Sequence, residues 1–118
     1  MIESLFPERR NWPAAISDIS QIPVDASSVR LVSKSTHFEN IADYKSLRFL
    51  WCFDIDESKL RFINSCTSLE YLYIDHLKTG NLSGLENLPN LKILALKDVL
   101  KFTHWNFYKS LLRYLALP

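Results

Sequence analysis

The spacing of the leucines constrains the fold of this chain more than any other feature of its sequence. Residues 47–118 contain 17 of the 19 leucines, and the motif Leu-x-x-Leu-x-Leu recurs there, with Ile or Cys as the last residue of some copies. The copies start at Leu47, Leu69, Leu91 and Leu112, which are 22, 22 and 21 residues apart, and a degenerate copy starts at Ala26. A pattern that returns at such an interval is typical of proteins built from stacked structural units.

Each unit contains two different periodicities. The fourth and sixth residues of the motif are two apart, so they point to one face of a β-strand. The apolar residues that follow are three apart, as in Leu60 and Ile63, which favours a short α-helix or 3₁₀ helix. Asp56 is a predicted N-cap for the helix that carries Leu60, and Ser35 or Thr36 is a predicted N-cap for the preceding one. A unit is therefore predicted to be a strand followed by a helical return.

In-phase copies of this kind resemble the leucine-rich repeat family, in particular its subclass with units of about 22 residues. The resemblance covers roughly residues 26–118. It implies an α/β fold: a short right-handed solenoid of four to five units, the last incomplete, with parallel strands on the concave side and short helical or 3₁₀ legs on the convex side. The family usually has Asn or Cys at the ninth position of the unit, where this chain has Ile55, Leu77 and Val99. Aliphatic packing is therefore expected in place of a polar ladder.

Residues 1–25 lie outside the repeat and are predicted to cap the N-terminal edge of the solenoid. Pro13 suits the first turn of a helix, and Ile16, Ile19 and Ile22 would then form one apolar stripe. An N-terminal helix is therefore expected there.

At the other end, the sequence stops inside a strand motif that contains Leu115 and Leu117. No polar capping segment follows this motif, and an open strand exposes backbone donors and acceptors. We therefore expect that the natural chain continues, that this edge pairs with another copy to form a homodimer, or that Pro118 blocks the edge imperfectly.

Composition limits the classes of partner. With 14 basic and 13 acidic residues the net charge is +1, which provides no cationic excess for a nucleic acid or an anionic membrane surface. No apolar run approaches the ~18 residues of a transmembrane helix, and the N-terminus has no secretion signal. Cys52 and Cys66 occupy inward positions of one unit and are expected to be buried thiols rather than a disulfide framework. A soluble, cytoplasmic protein is expected.

Aromatic residues dominate the positions between the buried leucines. Equivalent residues of parallel strands in register lie about 4.8 Å apart, so columns of the repeat become rows across the sheet. Five aromatic side chains should then project from two adjacent strands on the exposed concave face: Phe49, Trp51, Phe53, Tyr71 and Tyr73. Such patches often mark binding sites, although cross-strand packing or a covering N-terminal segment would also account for them.

Charged residues lie at both ends of the predicted strands. The second column of the repeat is a predicted ion ladder: Arg48, Glu70, Lys92 and Arg113. The eighth column places an imidazole between carboxylates, next to Asp75: Ser33, Asp54, His76 and Asp98. This arrangement would favour the protonated form of His76, bind a metal weakly or assist hydrolysis, but an open sheet supplies neither converging ligands nor an oxyanion donor. No metal site and no cofactor are predicted.

The sequence therefore predicts a non-enzymatic module that binds a protein or peptide on its concave aromatic surface, with Glu70, Asp75 and His76 fixing orientation at the rim. The alternative is a structural solenoid fragment that self-associates through its open C-terminal strand. A more remote alternative is a hydrolase that uses Asp54, His76 and Asp98. Nucleic acid and membrane are not expected as partners.

Overall fold

The sheet that the leucine pattern predicts is present in the structure, a computed structural model that describes residues 14–79, 84–85, 88–99 and 115–116. Its strands are β1 (Ile16–Asp18), β2 (Ser28–Thr36), β3 (Phe49–Ile55), β4 (Tyr71–Leu77), β5 (Ile93–Val99) and β6 (Leu115–Ala116). They form one curled sheet in the order β1-β2-β3-β4-β5-β6, and every neighbouring pair is parallel. The complete helical segments within the described residues are a 3₁₀ helix at Ile19–Gln21, a second 3₁₀ helix at Phe38–Asp43 and α1 (Glu57–Ile63). The predicted α/β class with parallel strands is confirmed.

The register of the sheet aligns equivalent positions of the 22-residue pattern. Leu50 on β3 lies beside Leu72 on β4, which lies beside Leu94 on β5. All three are fully buried. Residues that are far apart along the chain therefore form one interior row across the sheet.

A left-handed residue interrupts β3 and β4 at the same place. Asp54 has φ 56° and His76 has φ 63°, and both residue types tolerate this conformation better than most. The kink breaks the alternation of the strand, so the next residues, Ile55 and Leu77, turn into the core and are fully buried. The aliphatic packing predicted for the ninth position is confirmed at these two residues, whereas the Val99 side chain lies outside the described part of the chain.

Polar links between successive units come from the turns that precede the strands. The Ser68 hydroxyl donates to the carbonyl oxygen of Leu47, and the Asn90 side-chain amide donates to the carbonyl oxygen of Thr67 at 3.0 Å. Ser68 and Asn90 are 22 residues apart, so the same turn position is linked to the preceding unit in both cases, although the acceptors, Leu47 and Thr67, occupy different positions of the unit.

The helical legs confirm one predicted cap and correct another. The Asp56 carboxylate accepts a hydrogen bond from the Lys59 amide at 2.9 Å, so Asp56 is the N-cap of α1. The second 3₁₀ helix begins after His37, which is left-handed and makes no side-chain capping bond. The prediction that Ser35 or Thr36 is the N-cap of this helix was wrong, because β2 extends through both residues. None of the helices within the described ranges is long and apolar enough to cross a membrane.

The core lies between the sheet and the helical legs and takes residues from both. Its fully buried members include Ile19, Leu31, Ile41, Leu47, Leu50, Ile55, Ile63, Leu69, Leu72 and Ile74. Cys52 and Cys66 lie in this core as free thiols, which confirms their prediction as buried residues. Burial raises the pKa of Cys52, and it raises that of Cys66 to about 12.

Residues 14–25 add a strand to the sheet instead of the predicted helix. Ile16 on β1 lies beside Leu31 on β2, and the chain then enters the first 3₁₀ helix. The helix prediction was wrong at Ile16–Asp18, because the open edge of β2 offers backbone partners that a strand can use, and only Ile19–Gln21 form a helical turn. Ile19 and Ile22 nevertheless enter the core, as an apolar stripe would. Residues 1–13, including Pro13, lie outside the described part.

At the C-terminal side, β6 pairs with β5 through Leu115 and Ala116. The side chains of these two residues, and residues 100–114 and 117–118, lie outside the described part. Self-association through this edge therefore stays a prediction.

The left-handed kink can be tested at Asp54. Asp54→Val should lower the free energy of unfolding by about 1–2 kcal/mol more than Asp54→Asn, because a β-branched residue is strained at positive φ whereas asparagine is not. Both variants remove the carboxylate charge, so their difference isolates the backbone strain. Urea denaturation followed by circular dichroism measures it, and equal losses would contradict the assignment.

Candidate functional site

The face of the sheet opposite the core carries aromatic and charged side chains. Successive residues of a strand point to opposite faces, so the residues between the buried leucines lie on this side. We call it the aromatic face and define it by Arg30, Phe49, Trp51, Phe53, Tyr71, Tyr73, Ile93 and Ala95. Within it, Tyr73 and Ala95 form a small apolar cluster, separate from the main core, with Trp51, Tyr71 and Ile93 packed against it.

Two pairs of rings stack across β3 and β4. The ring centroids of Phe49 and Tyr71 are 4.7 Å apart with an angle of 4° between the planes. Those of Trp51 and Tyr73 are 4.8 Å apart at 11°. These separations match the spacing of neighbouring strands, so the parallel register itself sets the stacking distance.

The stacking corrects the prediction that all five aromatic residues are exposed. Phe49 is 3% exposed and Tyr73 is 1% exposed. Each is covered by a ring of the adjacent strand, and Tyr73 also packs with Ala95. Trp51, Phe53 and Tyr71 are partly exposed. Cross-strand packing therefore accounts for two of the five residues, and the other three remain accessible for contact.

The guanidinium of an arginine lies over one ring of each pair. The guanidinium carbon of Arg48 lies 5.1 Å from the Phe49 ring centroid, and that of Arg30 lies 4.5 Å from the Trp51 ring centroid. The N–H groups of a guanidinium lie in one plane and form a fixed set of donors. Both arginines therefore combine an apolar contact with a directed set of donors.

The predicted ion ladder is present at the start of β3, β4 and β5. Glu70 accepts from Arg48 Nε at 2.6 Å and from a terminal nitrogen of Arg48 at 3.2 Å, and its Oε1 lies 3.1 Å from Lys92 Nζ. The hydrogen bonds from Arg48 and then from Lys92 lower the pKa of Glu70 to about 2. Both carboxylate oxygens are thus engaged, so Glu70 holds Arg48 and Lys92 in position. Arg113 lies outside the described residues.

At the other end of the strands, Asp54, Asp75 and His76 form a second polar margin. His76 Nε2 lies 3.8 Å from an Asp54 carboxylate oxygen, which is an ion-pair contact when the imidazole is protonated but too long for a hydrogen bond. Asp75 is partly buried, and the side chains of Asp98 and Ser33 lie outside the described part. Within the described ranges, no three His, Cys, Asp or Glu side chains are placed to hold a metal ion.

Arg30 is the residue of this face that the sequence interpretation missed. It occupies the fifth position of the degenerate first copy, 21 residues before Trp51. In the structure it pairs in register with Trp51 and stacks on its ring. The offset from Trp51 was the available signal, but the weak leucine pattern of the first copy concealed it.

No family model matches the chain, and comparisons with curated proteins and with solved structures found no match. The geometry of the aromatic face and of its two charged margins is therefore the basis for inferring function.

The ion ladder makes stability depend on pH. Because the folded pKa of Glu70 is about 2 and its ordinary value is 4.5, the ladder contributes fully above about pH 4.5 and is lost as the pH falls toward 2. Glu70→Gln should therefore lower the free energy of unfolding by about 1 kcal/mol at pH 7 and leave it unchanged near pH 2.

Urea denaturation at several pH values measures this difference. The matched control is Glu57→Gln, which removes an exposed i,i+4 pair with Arg61 on α1, where Oε2 and the arginine nitrogen are 3.7 Å apart. Its effect should be smaller because that pair is solvated. A Glu70→Gln effect that is constant from pH 7 to pH 2 would contradict the assignment.

Proposed function

We propose that this chain is a short leucine-rich repeat solenoid that binds an extended segment of a protein or peptide on its aromatic face. The fold assignment is supported by the 22-residue register of the strands and by the left-handed residue that recurs at Asp54 and His76. The observation that carries the function is a set of partly exposed aromatic side chains held on rigid strands: Trp51, Phe53 and Tyr71.

The aromatic face suits binding because its contact groups are ordered before a partner arrives. Trp51 stacks on Tyr73 at 4.8 Å and on Phe53 at 5.8 Å, and Tyr71 stacks on Phe49. Fixed rings lose little conformational entropy on association, and Trp and Tyr dominate the binding energy of protein interfaces. The buried rings thus support the exposed ones.

The two charged margins limit how a partner lies across the face. Arg48 and Lys92 stand at one margin, held by Glu70, and Asp75 and His76 stand at the other. Charges of this kind select orientation and partner more than they add affinity.

A binding function fits this open face better than hydrolysis. Nucleophilic catalysis requires a nucleophile, a base within hydrogen-bonding distance and an oxyanion donor around one reacting atom. The distance of 3.8 Å between His76 Nε2 and the Asp54 carboxylate oxygen is longer than a hydrogen bond. We therefore propose a non-enzymatic protein.

The proposal is tested by selecting binders from a library of random peptides displayed on phage. The wild-type protein should enrich peptides that contain aromatic or branched aliphatic residues. Trp51→Ala and Phe53→Ala should each weaken binding of a selected peptide by about tenfold or more, because each removes an anchor of the contact. Fluorescence anisotropy with the labelled peptide measures the affinity.

Phe62→Ala is the matched control for Phe53→Ala. Phe62 lies on α1, on the far side of the core from the aromatic face, and is 37% exposed. Its loss should leave peptide affinity unchanged, and circular dichroism establishes that all three variants are folded. If folded Phe53→Ala and Trp51→Ala proteins bind as tightly as the wild type, the aromatic face is not the binding surface.

A further inference from the structure

We infer that the segment bound on the aromatic face is acidic and that Arg30 receives its carboxylate. This inference rests on the proposed function and specifies the chemistry of the partner. Arg30 is a cation of this face that contacts a ring but has no ion-pair partner among the described residues.

Arg30 is held rigidly on the aromatic face. Its neighbours in β2, Val29 and Leu31, point into the core and are buried, so the Arg30 side chain points to the opposite side. Its backbone is in register with Trp51, and its guanidinium carbon lies 4.5 Å from the Trp51 ring centroid. The backbone pairing and the ring contact together restrict where the guanidinium can lie.

The charge of Arg30 is not balanced by any ion pair among the described residues. Its Nε atom is buried and makes no hydrogen bond within the same part of the chain. A guanidinium is always protonated, and leaving one of its N–H groups buried without an acceptor costs free energy. This Nε–H is shielded from a ligand as well as from water, so an acceptor of the partner would contact the terminal N–H groups of Arg30, which are not among the buried unpartnered atoms.

Arg48 shows what such an acceptor looks like on this face. Its guanidinium is also stacked on a ring, that of Phe49, and it donates two hydrogen bonds to the two oxygens of Glu70, at 2.6 and 3.2 Å. Arg30 also lies over a ring, with its guanidinium carbon 4.5 Å from the Trp51 centroid, but has no carboxylate partner among the described residues. The partner therefore supplies the group that Glu70 supplies to Arg48, and a carboxylate fits the guanidinium as a bidentate acceptor.

The surrounding charges favour an acidic segment over a basic one. Arg30 lies on β2. Arg48 and Lys92 lie at the starts of β3 and β5, and Glu70 is the carboxylate between them. This half of the face is therefore cationic and attracts a negatively charged segment at low ionic strength. Because Arg30 lies against Trp51, the acidic residue of the partner should be close in sequence to the apolar residue that contacts the tryptophan.

The test compares the peptides selected by the wild type with those selected by Arg30→Gln. The wild-type pool should be enriched in Asp or Glu within a residue or two of an aromatic or branched aliphatic residue. The Arg30→Gln pool should keep the apolar residue and lose the acidic one. Circular dichroism and thermal unfolding establish that the variant is folded.

A double-mutant cycle then measures the contact directly. The wild type should bind a selected peptide about tenfold more tightly than its Asp→Asn version, and this preference should vanish in Arg30→Gln. Arg30→Lys should keep the charge but only part of the preference, because it cannot make the bidentate contact. Arg61→Gln, the same substitution on α1, should keep the full preference.

The outcomes separate this inference from the function on which it rests. If the wild type selects apolar peptides with no acidic residue, or with basic ones, the assignment of Arg30 is wrong and the aromatic face remains a binding surface. If the wild type selects no peptides, both proposals fail.

Discussion

Leu50, Leu72 and Leu94 lie side by side on three parallel strands, and this contact determines where most of the described side chains lie. A single unit of strand and leg would leave its leucines in water, so the units are stable only when stacked in register. The same register places the rings of β3 and β4 opposite each other at 4.7 and 4.8 Å. The core and the aromatic face are therefore two consequences of one pairing.

The left-handed residues at Asp54 and His76 set the limits of that face. If Asp54 and His76 had regular strand conformations, Ile55 and Leu77 would point away from the core and their aliphatic side chains would be exposed to solvent. The kink reverses this direction, buries both residues and ends the aromatic face at a polar margin. An aliphatic residue at the ninth position of the unit is thus buried only because the left-handed residue precedes it. Polar links between units come instead from the turns that contain Ser68 and Asn90.

Local pattern was enough to predict the strands from β2 onward, the core positions, the Asp56 cap and the Arg48–Glu70–Lys92 part of the ion ladder, because each depends on residues at a fixed spacing. The spacing of Ile16, Ile19 and Ile22 fits a helix, and it also fits the strand followed by a 3₁₀ turn that the structure contains. The choice between them depended on the free edge of β2, with which β1 pairs. The burial of Phe49 and Tyr73 depended on what lies beside each ring. Tyr73 is buried with the small Ala95 on one neighbouring strand and Trp51 on the other, a combination that no single unit contains.

The two stacked arginines differ in a way that bears on selectivity. Arg48 has its carboxylate inside the molecule, so it contributes to the fold at the margin of the sheet. A carboxylate placed beside Arg30 in the same manner would satisfy that guanidinium and remove its preference for an external acceptor. Leaving a stacked, desolvated donor without such a partner costs some stability but penalises any segment that fails to supply an acceptor. On this reasoning Trp51 provides affinity for many apolar segments, and Arg30 restricts them to those that carry an adjacent negative charge.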